Sequence, residues 1–402
     1  MAAYTYDAIN AQGFELSGEV HAPDLAAARE QLRSRGLLPQ RLVEKGASGE
    51  GGRAVFKKVK QKSLQVFSRQ LATMIEAGVS VVAALVTLEE QTDDKYLAEV
   101  LAEVRADVEA GLVFSAALAR HPKVFNRLFV AMVEAGESSG TLDTVLDRIA
   151  TQIEKETQIK RRVKGAMVYP AVVITFASLV LVFMLLFIVP VFADVFKDLG
   201  GELPKPTQIV MAASNALRAW WFIIFPVIIA AIFGLRRWKR TERGRQLWDQ
   251  FKLKIPMKIG DVVQKVALAR FARTLSTLLA AGVDIISSLE ITGATSGNWV
   301  VEESLRNVRE RVHEGVPISE PLQENDIFPP MVSQMVKIGE ETGELDDMLA
   351  KVADFYEDEV DSSIQALTSI IEPVLMIGVG AMVGTIVISM YLPMFKLLTL
   401  IK

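Results

Sequence analysis

The sequence predicts an all-α membrane protein: two repeated cytosolic helical-bundle domains, three transmembrane helices and a small N-terminal α+β module. Three observations predict it. Three apolar runs carry no charged residue, and a bilayer core is crossed by a helix of about 20 such residues. One helical segment occurs twice. The residues ahead of the first copy alternate in hydropathy as strands do. Hydrophobic residues make up 50% of the 402-residue chain, and the mean hydropathy of +0.29 is high for a soluble protein. The formal net charge of −4 conceals strong local blocks. There is no cysteine, which excludes disulfides, thiolate metal sites and a thiol nucleophile.

Residues 1–44 read as a β-β-α-β module. Tyr4–Ile9 alternates, Asn10–Gly13 turns, and Phe14–His21 resumes a strand. Pro23–Ser34 reads as a helix ending at Gly36, and Leu38–Val43 as a third strand. The first residues have no basic n-region and no apolar h-region, so no cleavable signal peptide is expected. Residues 45–62 form a linker, glycine-rich and then basic.

The duplication begins next, with a first copy over 63–168 and a second within 236–371. Phe67–Val79 reads FSRQLATMIEAGV and Phe271–Val283 reads FARTLSTLLAAGV. Gly111, Ser115 and Leu118 return as Gly315, Ser319 and Leu322. After a one-residue slip, Phe125 returns as Phe328 and EAGESSGTLDTVL (Glu134–Leu146) as KIGEETGELDDML (Lys337–Leu349). The shifted register holds through Tyr169-Pro170 and Glu372-Pro373 to Val189–Phe192 and Leu392–Phe395. Apolar residues recur at three and four: Leu142, Val145, Leu146, Ile149 and Ile153, then Leu345, Met348, Leu349 and Val352. Gly78, Gly111 and Gly136, with Gly282, Gly315 and Gly339, are expected at helix ends. Ser80 and Ser115 are expected to cap the helices that follow them. The last helix of each copy should continue into the membrane.

The spans are expected at 169–193, 219–235 and 372–396, with a short extracytoplasmic connection over 194–218. Lys155, Lys160, Arg161, Arg162 and Lys164 precede the first; Arg236, Arg237, Lys239, Arg240, Arg243 and Arg245 follow the second. The positive-inside rule puts both clusters in the cytoplasm, hence a cytoplasmic N-terminus and an extracytoplasmic C-terminus. The flank of the third span is acidic (Glu357, Asp358, Glu359, Asp361), so parity alone orients it. No ionisable residue is expected inside a span, which argues against the alternative of a transporter or channel with cytosolic regulatory domains. Gly380 and Gly384 form a GxxxG suited to close helix packing. The basic patch Arg236–Arg245 follows a span directly, so membrane lipid, not nucleic acid, is its expected partner.

Site chemistry is sparse. The chain has no P-loop, G-x-G-x-x-G or HExxH pattern. One GxSxG string, Gly136–Gly140, lacks the preceding strand of a nucleophile elbow. His21, His121 and His313 are scattered. No catalytic, cofactor-binding or metal residue is therefore assigned. What repeats is a motif: Gly136, Glu137, Ser139, Gly140 and Leu142, then Gly339, Glu340, Thr342, Gly343 and Leu345. Two readings stand, and the first is capping. There Ser139 or Thr342 caps the next helix while the acids favour its positive end. The second is a docking surface present twice. A catalytic pair, Glu137 with Glu340, would require the two carboxylates to converge.

The duplicated helical domain, the repeated GE-x-[ST]-G-x-L-D pattern and the Tyr-Pro or Glu-Pro start of a span resemble the bacterial type II secretion F protein family. The resemblance covers essentially the whole chain, and the N-terminal module also looks like that family's. Glu202–Val210 and Ser389–Leu397 look more like its type IV pilus branch than its secretion branch. The resemblance implies a non-enzymatic, cofactor-free platform in the cytoplasmic (inner) membrane. Such a platform couples cytosolic hexameric assembly and retraction ATPases to pilin insertion or removal. Implied partners are those ATPases, pilin transmembrane helices, other inner-membrane pilus proteins and further copies of itself, as dimer or tetramer.

Overall fold

The computed structural model describes residues 2–10, 15–22, 31, 37–44, 59–192, 204–256 and 258–400, in two compact units, Met1–Lys58 and Val59–Lys402. The first unit holds strands β1 (Ala2–Asn10), β2 (Glu15–Ala22) and β3 (Leu37–Glu44) in one antiparallel sheet of order β2-β1-β3. The central strand β1 pairs with β2 from Ala2↔Ala22 to Ile9↔Glu15 and with β3 from Tyr4↔Glu44 to Asn10↔Leu37. Pro39 is on an edge strand, where a missing N–H is tolerated. The helix expected over Pro23–Ser34 lies outside the described residues except for Gln31, which is helical. The linker expected over 45–62 lies outside them up to Lys58.

The second unit is helical throughout its described residues. Its first copy comprises α1 (Gln61–Glu76), α2 (Val81–Gln91), α3 (Lys95–Glu109), α4 (Phe114–Ala119), α5 (Arg127–Ser139) and α6 (Leu142–Phe183). Two helices follow, α7 (Lys205–Trp238) and α8 (Glu242–Lys254). The second copy then repeats the order as α9 (Ile259–Ala280), α10 (Ile285–Thr295), α11 (Trp299–His313), α12 (Ser319–Gln323), α13 (Pro330–Thr342) and α14 (Leu345–Leu400).

Local chemistry recurs with the order. Ser80 caps α2 through Ala83 N–H at 3.3 Å, and Asp284 caps α10 through Ser287 N–H at 2.9 Å. Asp94 accepts from Leu97 N–H at 3.3 Å to open α3, and Asn298 from Val300 N–H at 2.9 Å to open α11. Gly78, Gly111, Gly282 and Gly315 end helices with φ between 81° and 95°, left-handed backbone that costs a residue with Cβ roughly 1–2 kcal/mol. Each copy has its own core. In the first, Phe67 meets Phe125 with ring centroids 5.9 Å apart, over Leu71, Leu85, Leu101 and Leu118. In the second, the register-equivalent Phe271 and Phe328 are 5.1 Å apart, over Leu275, Leu289, Leu305 and Leu322. The matched letters of the duplication are thus largely core letters, each burial being worth about 1.5–3 kcal/mol.

Three expectations need correction. Ser115 does not cap α4: it lies inside the helix and is buried, and Val113 takes the cap position. Gly136 and Gly339 do not end helices; they lie within α5 and α13, and Gly140 (φ 72°) and Gly343 (φ 78°) end them instead. The stretch expected as an extracytoplasmic connection over 194–218 is helical from Lys205, because Pro204 and Pro206 preset the first turn of α7.

Both copies deliver their last helix into an apolar segment without a break. Leu142–Phe192 and Leu345–Leu392 are long and apolar enough to cross a membrane, and each runs through its proline, Pro170 or Pro373. Lys205–Ile224 and Pro226–Trp238 together pass the same test as a pair bent by 53°. Pro226 lacks the N–H that would close the ladder there, which is an ordinary cause of a kink.

Candidate functional site

The repeated motif is built the same way twice. Gly136 faces the start of α6 so closely that a Cβ would lie 3.2 Å from Leu142 Cα; at Gly339 it would lie 2.8 Å from Leu345 Cα. That close approach carries the next residue, a glutamate, over a short helix of its own repeat. Glu137 accepts Phe114 N–H at 2.7 Å and Ser115 N–H at 2.9 Å, one on each carboxylate oxygen. Glu340 accepts Ile318 N–H and, at 3.1 Å, Ser319 N–H in the same fashion. Two free amide donors at each helix start thereby gain a charged acceptor, at the end where the helix dipole favours an anion.

The capping partners differ from those expected. Ser139 and Thr342 do not cap the next helix. They close the preceding one, and their hydroxyls donate back to Ala135 O and Ile338 O, each at 2.8 Å. The acids cap α4 and α12, which precede the motif, and not the helix that follows. Local spacing suggested a neighbouring helix; the tertiary turn of α5 and α13 supplies a distant one. In the second copy Glu340 also borders a surface groove of about 480 Å³, lined among others by Pro317, Gln323, Pro330, Gln334 and Lys337.

A second matched constellation escaped the sequence reading. Arg69 grips Glu154 at 2.8 and 2.7 Å and reaches Asp147 at 2.5 Å. Its equivalent Arg273 grips Glu357 at 2.8 Å and pairs with Asp354. Both arginines and both glutamates fall in matched register, which was the available signal. Arg69 holds the Glu154 carboxyl below its usual range, the hydrogen bond to the carboxylate being the main cause. Burial pushes the neighbouring Tyr356 hydroxyl up to about 12.

The seam between the copies is ionic outside and apolar nearer the membrane. Lys155 of α6 donates to Glu357 of α14 at 2.8 Å, and Arg162 pairs with Asp361. Beside this seam, within the second copy, Lys265 of α9 bonds Glu359 of α14 at 2.7 Å and Ser363 at 2.8 Å. Beyond these, Ile159, Val262, Val360, Ile364 and Leu367 form a separate buried cluster, with Val163 and Ile371 packed on it.

Among the spans, residues 184–188 of the first form a π turn. Such a turn loosens the i→i−4 ladder. Two carbonyls there accept from α7: Leu185 O from Ser214 Oγ at 2.5 Å, and Leu186 O from Arg218 Nε at 3.1 Å. Arg218, expected in a connection, therefore sits against a span, and Thr207 likewise donates to Ser389 O at 2.6 Å. No local pattern announced these contacts. Between the first and third spans lies a wholly apolar groove of about 390 Å³, bounded by Phe176, Val180, Met184, Val379, Met382 and Ile386. Gly380 and Gly384, expected to pack on another helix, meet no atom of the described residues within 4 Å of a built Cβ.

Comparison with known proteins agrees with this architecture. The family described as Type II secretion system (T2SS), protein F matches residues 67–190 and 271–393, once per copy. The Type II secretion system protein F, N-terminal domain matches residues 1–43. The Type IV pilus assembly protein PilC of Thermus thermophilus is 44% identical over 402 residues, covering 99% of this chain and 98% of the relative. The Type IV pilus assembly protein TapC of Aeromonas hydrophila is 40% identical over 398 residues, covering 98% and 95%. The Type II secretion system protein F of Vibrio cholerae is 31% identical over 402 residues, covering 99% and 98%.

Proposed function

This chain belongs to the type II secretion system protein F family, and we propose that it is the non-enzymatic platform of a type IV pilus machine in the cytoplasmic membrane. It couples cytosolic motor ATPases to the assembly or disassembly of pilin. The observation that carries this reading is the full-length likeness to a type IV pilus assembly protein at 44% identity, against 31% for a secretion system protein F. Support for a mechanical role comes from how the carboxylates are used. Glu137 and Glu340 are engaged by backbone donors, and Glu154 and Glu357 by arginines, which leaves them poorly placed for acid–base work.

On this reading the two helical bodies are the cytosolic docking surfaces for the motor, with the groove beside Glu340 as one contact. The spans meet pilin transmembrane helices, Gly380 and Gly384 are free for a helix outside this chain, and copies assemble as a dimer or tetramer. The N-terminus is cytoplasmic and the C-terminus extracytoplasmic. Deletion of the gene followed by imaging of surface filaments tests the function: filaments should vanish and return on complementation. Intact filaments with loss of an exported protein would assign the chain to secretion instead. Reporter fusions after Phe192 and at Lys402 test the topology, and both should report the extracytoplasmic side. ATP hydrolysis by the purified chain alone would end the non-enzymatic reading.

A further inference from the structure

We propose that α8 lies in the plane of the membrane on its cytoplasmic face and docks there on anionic lipid headgroups through Arg243, Leu247, Phe251 and Lys254. The inference rests on the reading above that α7 leaves the membrane on that side. The helix has an inner and an outer face. On the inner face Asp249 is buried, accepting Trp299 N–H at 3.0 Å and Lys252 Nζ at 2.6 Å. Gly244, at the start of the helix, is confined instead by the end of α7, since a Cβ would fall 1.9 Å from Trp238 O. At 100° per residue, Arg243, Leu247, Phe251 and Lys254 lie opposite Asp249. Leu247 is 56% exposed and Phe251 57%, with a cation at either end of their stripe.

Both ends of α8 start from the membrane level. Its N-terminus follows Trp238, the end of α7, and Lys239 Nζ stands 3.3 Å over the Trp248 ring. Beyond its C-terminus, α9 begins with Ile259 and Val262, which pack with Val163, Ile364 and Ile371 where α6 and α14 approach their spans. A helix of 13 residues, about 20 Å long, held at that level by both ends runs along the surface. An apolar stripe flanked by cations is what an interfacial helix presents to anionic lipid. Charge selects this occupant: Arg240 adds a further cation just before the helix, and both acids of the helix, Glu242 and the buried Asp249, fall on the side away from the stripe.

The chain has no cysteine, so one introduced thiol takes one label. Leu247→Cys, Phe251→Cys, Trp238→Cys and, as a water-exposed reference, Glu103→Cys would each carry an environment-sensitive fluorophore in the full chain. The proteins are reconstituted in nanodiscs of phosphatidylcholine, with or without phosphatidylglycerol. Labels at 247 and 251 should be blue-shifted and quenched by shallow spin-labelled lipid, several-fold more in the anionic discs, while the label at 103 is not. Adding Arg243→Gln and Lys254→Gln should remove the lipid dependence. Labels at 247 and 251 that behave like the one at 103 would overturn the proposal. So would a blue shift without quenching by lipid, which means that protein covers the face. If the label at 238 is quenched in those cases, α7 still meets the membrane and only the docking of α8 fails; if it is not, the reading of α7 fails first.

Discussion

Lys155 of the first repeat donates to Glu357 of the second at 2.8 Å, and Glu357 is at the same time the partner of Arg273 within its own repeat. One carboxylate, 12% exposed, thus closes a fold and joins two folds. The first repeat has the same Arg–Glu grip without the joining cation, and there Glu154 is 35% exposed. Removing one member of a screened ion pair costs little, whereas removing a little-exposed carboxylate that holds two cations at once, Arg273 and Lys155, gives up charged hydrogen bonds worth about 1–3 kcal/mol. Glu357→Gln should therefore destabilise the detergent-solubilised protein by about 1–3 kcal/mol, and Glu154→Gln by less than about 1. Denaturant midpoints for both variants check this. Equal losses would mean that the seam adds nothing to the grip.

Glu137 and Glu340 each hold two backbone N–H groups of a helix that lies earlier in the chain. Alanine at either position should cost about 1–2 kcal/mol. Aspartate should recover little, because the shorter side chain cannot span the gap. Hydrogen exchange locates the loss: the amides of Phe114 and Ser115 should speed up in Glu137→Ala, and those of Ile318 and Ser319 in Glu340→Ala. Unchanged protection there, with filament loss in cells, would shift the motif from capping to docking.

The spans and the two copies were legible because both are written in hydropathy and register. A cap such as Ser80 is local and reads directly, as its bond to Ala83 N–H bears out. Glu137 was misread for the same reason: its nearest helix in sequence is not its nearest in space. Gly136 looked like a helix end, but the requirement it meets is the closeness of Leu142, which only tertiary packing creates. The acidic flank of the third span looked anomalous beside the positive-inside rule. Its acids answer the basic flank of the first span, Arg162 with Asp361 and Lys155 with Glu357, so the two flanks are one feature seen from either side. The π turn and Arg218 depend on how α7 leans on the first span, and no periodicity encodes that.

The Arg69–Glu154 pair sets a pH dependence. Its hydrogen bond holds the Glu154 carboxyl below the ordinary value of 4.5. A group depressed in the folded state contributes stability above its unfolded pKa and loses it as pH falls through the folded value. Both side chains are partly exposed, so solvent keeps the contribution to about 1 kcal/mol or less. Arg69→Met should lower the melting temperature slightly at neutral pH. The gap from the unsubstituted protein should then close as the medium is acidified below the ordinary carboxylate range. Melting curves recorded across that range decide it, and two parallel profiles would sink the assignment.

The two glycines at the head of the motif should not tolerate alanine equally. At Gly136 the new Cβ would meet Val145 Cβ at 3.1 Å and Leu142 Cα at 3.2 Å, contacts that a shift of a few tenths of an ångström can relieve. At Gly339 it would meet Leu345 Cα at 2.8 Å, too close for any Cβ, so the backbone at the start of α14 would itself have to move. Alanine in a helix is otherwise worth up to about 1 kcal/mol over glycine, which offsets part of the crowding. Gly136→Ala should therefore fall near neutral, within about 1 kcal/mol, while Gly339→Ala loses about 1–3 kcal/mol from overpacking. Loss at Gly339 should also carry Glu340 away from α12, so Ile318 and Ser319 amides should exchange faster in Gly339→Ala while Phe114 and Ser115 stay protected in Gly136→Ala. Equal stability for the two variants, with unchanged exchange at Ile318, would show that α13 and α14 can part without disturbing the cap.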